Sequence, residues 1–240
     1  MPIRGPLIAP ALRLRIGASI LSAARAVDTR FVKERLARFE REHQRYAGAQ
    51  RNVAAIERQL RAARFRLSGC DAVQDDAVEA LARALVADGQ RRRNPFAAFG
   101  ALSPSKLSRL PFADEAKAVH RLVTAIRCSK PISKETSKAA QRADKAARAV
   151  ERAMIPVQNL QASIRDARRM RDAIARGWES AFAGLRRGAR AAADDGAPQL
   201  HAKLFPPASR TMKGKASATS GRLPSSLRRP FRKPRSGVVA

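Results

Sequence analysis

Phe31 to Leu67 reads FVKERLARFEREHQRYAGAQRNVAAIERQLRAARFRL. Val32, Phe39, Tyr46, Val53, Leu60 and Leu67 recur in it at intervals of seven, and Glu42, Ala49, Ile56 and Ala63 stand three places after four of them. Residues spaced in this way share one stripe of an α-helix, and a stripe held over several heptads pairs with another helix. The positions between are rich in Arg and Glu, as expected for a solvated face. The stretch predicts one long helix from Asp28 to Leu67. Ser68-Gly69 is the expected end, because glycine suits the left-handed cap position. A short acidic helix is expected next, with Val73, Ala77, Leu81 and Leu85 at four-residue steps and Gly89 as its stop.

A second ladder runs through Thr136, Ala143, Val150, Val157, Ile164, Arg171, Trp178 and Leu185. Its companions are Ala139, Ala146, Ala153, Leu160, Ala167, Ile174, Ala181 and Gly188. Small residues along a seam permit close helix approach. Pro156 falls inside this run without shifting its phase, so a kink or a break into two helices is expected there. Before it, Asp114 opens a helix with the stripe Val119, Leu122, Val123 and Ile126, which ends ahead of Pro131.

The expected fold class is mostly α: long heptad-patterned helices in an antiparallel coiled coil or small helical bundle, with a disordered basic C-terminal tail. Residues 1–27 read as a basic arm, with Leu12, Ile16, Ile20 and Val27 near one face of a short amphipathic helix. A membrane-surface helix and a cleaved targeting segment are the other readings of that arm. Residues 28–89 hold the long helix and the acidic one. Residues 90–113 read as an irregular linker, given Pro95, Pro104 and Pro111. Residues 114–196 hold the later helices. From 197 to 240 the apolar pattern ends, and too little surface is left to offset ordering entropy.

Charge is the second organising feature. The 240 residues carry 49 Lys and Arg against 20 Asp and Glu, a formal charge of +29. It is unevenly spread. Residues 1–27, 91–113 and 201–240 contain no acid and hold nineteen of the excess positive charges. The last forty residues alone carry ten basic side chains. A polycation attracts polyanions at long range, and phosphate neutralisation releases counterions. GC-rich codons favour Arg and Ala and would raise the helical charge by composition alone, but they explain a complete lack of acids less well.

The candidate nucleic-acid contacts are therefore Arg91, Arg92 and Arg93 in the linker, and Lys213, Lys215, Arg222, Arg228, Arg229, Arg232, Lys233 and Arg235 in the tail. Prolines keep the tail extended, so charges can track a phosphate backbone. Nothing there reads base edges, so binding is expected to tolerate any sequence. Phe96 and Phe99 are the candidate protein-docking residues, since phenylalanine is unusual in such a linker. Their other reading is a plug at the end of the helical body.

Catalytic and metal-binding patterns are missing. His43, His120 and His201 have no second His or Cys at ligand spacing. Cys70 and Cys128 show no paired spacing and are expected as free thiols. Gly214-Lys215-Ala216-Ser217 lacks the upstream glycine and the Ser/Thr after Lys of a phosphate loop. No run approaches the length of a membrane-spanning helix. The expectation is a non-enzymatic, cofactor-free protein of the cytoplasm, nucleoid or nucleus that binds nucleic acid. An adaptor of a larger protein assembly and a peripheral protein on anionic membrane are the alternatives, and self-association through the coiled coil is a further option.

Overall fold

The computed structural model describes residues 9–129 and 132–206. Every regular element among them is helical: α1 (Pro10–Ala24), α2 (Lys33–Ala87), α3 (Pro104–Leu107), α4 (Phe112–Cys128), α5 (Lys134–Ala191) and α6 (Leu200–Leu204). Single 3-10 turns lie at Arg30–Val32 and Ala97–Phe99. These residues divide into two compact units, one of 9–55 with 164–206 and the other of 56–129 with 132–163. Both α2 and α5 contribute to each unit.

The heptads are the buried seams of the long helices. All six residues of the first ladder, Val32 to Leu67, are buried. Seven of the eight in the second are buried as well, and Arg171 is half-buried. Ser133 Oγ accepts the Thr136 N–H at 3.1 Å and caps the start of α5.

The expected break at Ser68-Gly69 does not occur, and α2 runs unbroken to Ala87. The seven-residue ladder simply continues, with Gln74 and Leu81 buried after Leu67. Gly69 is not among the glycines of positive φ. A helical glycine costs about 1 kcal/mol relative to alanine, which the packing of the continued seam outweighs. Gly89, with φ +90°, is the left-handed residue just past the end of α2. The short acidic helix is thus the last part of α2 rather than a separate element. Nor does Pro156 break α5, which passes through it from Lys134 to Ala191. The proline is exposed, so the carbonyl that loses its partner lies on the solvent side.

In the first unit, α2 and α5 run antiparallel. Phe39 packs on Trp178 with ring centroids 5.5 Å apart, and Arg171 donates to Gln50 Oε1 at 3.2 Å. Trp178 stacks on Phe182 at 5.2 Å, and Phe182 meets Phe205 edge-on at 5.7 Å. Helix α1 packs its Arg13, Gly17 and Ile20 face into this unit. Ile16 and Val27 are half-buried there, while Leu12 is exposed.

The expected unfolded tail begins too early. Leu200 and Leu204 of α6 are buried in the first unit, and α6 contacts α1. Gly196, with φ +93°, turns the chain back so that these two leucines reach the core. The remainder of that expectation, from 207 onward, lies outside the described residues.

The second unit has its main core where α2, α4 and α5 meet. Val78, Leu81 and Leu85 pack with Val119, Leu122, Val123 and Ile126 and with Ala140, Ala143 and Ala147. A smaller cluster joins Leu60, Ala63 and Leu67 to Val150 and Val157. Partners on α5 recede as α2 advances, so the pair is antiparallel here too.

The linker, expected to lack regular structure, holds a 3-10 turn at Ala97–Phe99 and the short helix α3. Phe96 and Leu107 are fully buried in the main core, and Phe99, Ala101 and Leu110 pack against it. Two large apolar anchors hold the chain, and Pro104 starts α3 with a φ already suited to a helix. Phe96 and Phe99 therefore plug the end of the bundle, and the buried Phe96 ring is not open to a docking partner.

Candidate polyanion interface

Arg83 lies in the penultimate turn of α2. Gly89 and the turn after it bring Arg91, Arg92 and Arg93 back past that helix end. Asn94 Oδ1 then accepts the Phe96 N–H at 3.2 Å, a local turn that sets Phe96 into the core. Burial of Phe96 thereby anchors the backbone that follows the arginines.

The result is a shallow cleft of about 520 Å³ in the second unit. Arg83, Arg92 and Arg93 line it, together with Ser103 and Ser105 from the start of α3. Ala82, Val86 and Pro95 supply apolar wall. No carboxylate is among its lining residues. All three arginines are exposed, as is Arg91 beside them, and none has a carboxylate partner among the described residues. Glu79 stands one turn before Arg83 without pairing to it. Guanidinium groups from two segments and serine hydroxyls lining one cleft suit the oxygens of a phosphate or sulfate.

The structure brings Arg92 and Arg93 to one cleft, and Arg91 stays outside it. Lys213, Lys215, Arg222, Arg228, Arg229, Arg232, Lys233 and Arg235 lie outside the described residues. Arg83 escaped sequence reading because it is the sole cation of the acid-rich segment 69–90. Its approach to the arginine run depends on the return of the chain after Gly89.

Each of the three histidines meets a side-chain partner. His43 is buried, and its Nδ1 accepts the Trp178 Nε1–H at 3.2 Å. Burial lowers its pKa below the ordinary histidine value. His120 Nδ1 lies 2.7 Å from Asp144 Oδ1, and its Nε2 lies 3.4 Å from Glu151 Oε2. Asp144 also meets Arg148 at 3.1 Å and Arg127 at 3.6 Å. Desolvation pulls the Asp144 pKa up, but the His120 hydrogen bond and the charges of Arg148, His120 and Arg127 together hold it below the usual value. His201 Nε2 accepts from Arg190 Nε at 3.3 Å. Burial, then Arg190 and Arg186, lower its pKa.

Sequence reading also missed Arg13. Its guanidinium is buried in the first unit, donates to the Tyr46 hydroxyl at 3.1 Å and pairs with Glu179. It lies over the Tyr46 ring, 5.2 Å from the centroid, and 5.7 Å from that of Trp178. A basic residue one step from Leu12 on the expected apolar face gave no sign of this.

Among the described residues, no group of three or more His, Cys, Asp or Glu is placed to hold a metal ion. Cys70 and Cys128 are free thiols. No described helix is long and apolar enough to cross a membrane. Comparison with protein-family models, curated proteins and solved structures finds no match to this chain.

Proposed function

We propose that this is a non-enzymatic helical protein that binds nucleic acid without regard to sequence. The observation that carries the reading is the convergence of Arg83, Arg92 and Arg93 on one cleft without a lining carboxylate. The acid-free residues 201–240, with ten further cations, add to it. Exposed guanidiniums neutralise phosphates and release counterions, which supplies sequence-independent affinity. Without groups that read base edges, affinity should vary little between sequences.

The test is competition between unrelated duplexes of equal length at low salt, with the full chain. Similar inhibition by all of them supports the reading. Strong preference for one sequence, or binding no tighter than that of a small basic peptide, overturns it. A stoichiometric protein partner that survives nuclease and high salt would favour the assembly-adaptor reading instead.

A further inference from the structure

We propose that the face of α2 carrying Arg58, Arg61 and Phe65 binds single-stranded nucleic acid by stacking an unpaired base on the Phe65 ring. This rests on the nucleic-acid reading above but uses other residues, all of the second unit.

Phe65 is 83% exposed, the most exposed large apolar side chain described. With Leu60 and Leu67 on the buried seam, it falls at the position of the heptad that points directly outward. Charged residues are expected there, and nothing in the unit covers this ring. Arg58, Arg61, Arg64 and Arg66 surround it in sequence and are all exposed. None of the four has a carboxylate partner among the described residues. Arg58 and Arg61 stand two turns and one turn before Phe65 on its own face.

On the other side of the ring the face is low. Ser68 and Gly69 follow one turn later, and a methyl group added to Gly69 would meet nothing within 4 Å. Gly69 is helical, so neither its backbone conformation nor crowding within the unit calls for glycine. The low surface beside the ring leaves room for a flat ligand against the helix.

These features select the ligand class. Aromatic rings stack on bases, and guanidiniums neutralise the phosphates of the same strand. Duplex bases are already stacked on each other, so they leave Phe65 no partner. An acidic protein helix would satisfy the arginines but has no special use for an isolated aromatic ring beside a glycine.

The experiment measures binding of the full chain to labelled oligothymidine and to a duplex of equal length. The variants are Phe65→Leu, which keeps an apolar side chain without a ring, and Arg58→Ala/Arg61→Ala. Phe65 is solvent-facing, so the fold should persist, and circular dichroism verifies this. Loss of the ring should weaken single-strand binding by about 5- to 150-fold and leave duplex binding unchanged. The double arginine variant should reduce the salt dependence for oligothymidine. If oligothymidine binds and Phe65→Leu binds it equally well, the stacking proposal fails and the broader reading survives. If both ligands weaken equally in Phe65→Leu, the ring is not stacking, which also overturns the proposal. Absence of binding to either ligand rejects both readings together.

Discussion

The Arg13 guanidinium donates to the Tyr46 hydroxyl at 3.1 Å, joining α1 to α2 through a buried cation. Glu179 of α5 pairs with the same guanidinium, and its side chain is 44% exposed. The two ends of this pair are therefore unequal. Glu179→Gln leaves a charge enclosed by Tyr46 and Trp178, and should cost about 3 kcal/mol. Arg13→Met removes the charge and keeps much of the packing, so a loss of about 1–2 kcal/mol is expected. Denaturant unfolding followed by Trp178, the sole tryptophan, reads the first unit directly. An equal cost for both substitutions would contradict this assignment of the pair.

Gly17 allows α1 to approach α2. A methyl group on it would overlap the His43 imidazole, whose Cγ would lie 2.9 Å away. Gly17→Ala should destabilise the first unit by about 2 kcal/mol. The same change in a His43→Ala background should cost far less, because the obstructing ring is gone. A double-mutant cycle gives the coupling energy, and additive costs would mean that the close approach is not limiting.

Acid should weaken the first unit through His43. Its Nδ1 accepts the Trp178 N–H, so the ring is held neutral with its proton on Nε2. Its pKa in the folded chain is lowered from 6.5, so the unfolded chain binds the proton first as pH falls. The stability this contributes is present above about pH 6.5 and declines as pH falls toward the folded value. His201 is also lowered and acts with the same sign. His43→Gln should flatten, but not abolish, the loss of stability between pH 7 and pH 5. An unchanged slope would contradict the role given to His43.

Gln74 offers the opposite kind of test. It is fully buried in the α2 seam, and neither side-chain amide atom meets a hydrogen-bond partner among the described residues. An unsatisfied buried amide costs about 1–3 kcal/mol, so the near-isosteric Gln74→Met should stabilise the chain. Thermal unfolding by circular dichroism measures it, and a lowered midpoint would show that the amide is satisfied.

Heptad periodicity made the long helices and their buried residues legible, from Val32 to Leu67 and from Thr136 to Leu185. Punctuation was less legible. Gly69 and Gly89 look alike in sequence, but the apolar phase continues past the first and lapses after the second. Local composition made 90–113 a linker, and a plug was one reading of Phe96, but nothing marked Leu107 as part of the core that α2, α4 and α5 form. Leu200 and Leu204 were hidden in the same way, since two leucines after a glycine carry no period. The arginine run 91–93 could be read directly, whereas its cleft required Arg83. Phe65 had left a trace: an aromatic residue where the heptad calls for a charged one.

The dependence of nucleic-acid affinity on salt tests the polyanion reading most directly. The full chain would be compared with a chain ending at Pro206, which retains α6, and with Arg83→Ala/Arg92→Ala/Arg93→Ala. Each neutralised duplex phosphate contributes a slope of about −0.9 to log K against log salt. The full chain should show a steep slope. Removal of 207–240, with nine cations and no acid, should flatten it most, and the triple substitution should flatten it further by about 2–3. A shallow slope in the full chain, or one that neither change alters, would contradict nucleic-acid binding through these surfaces.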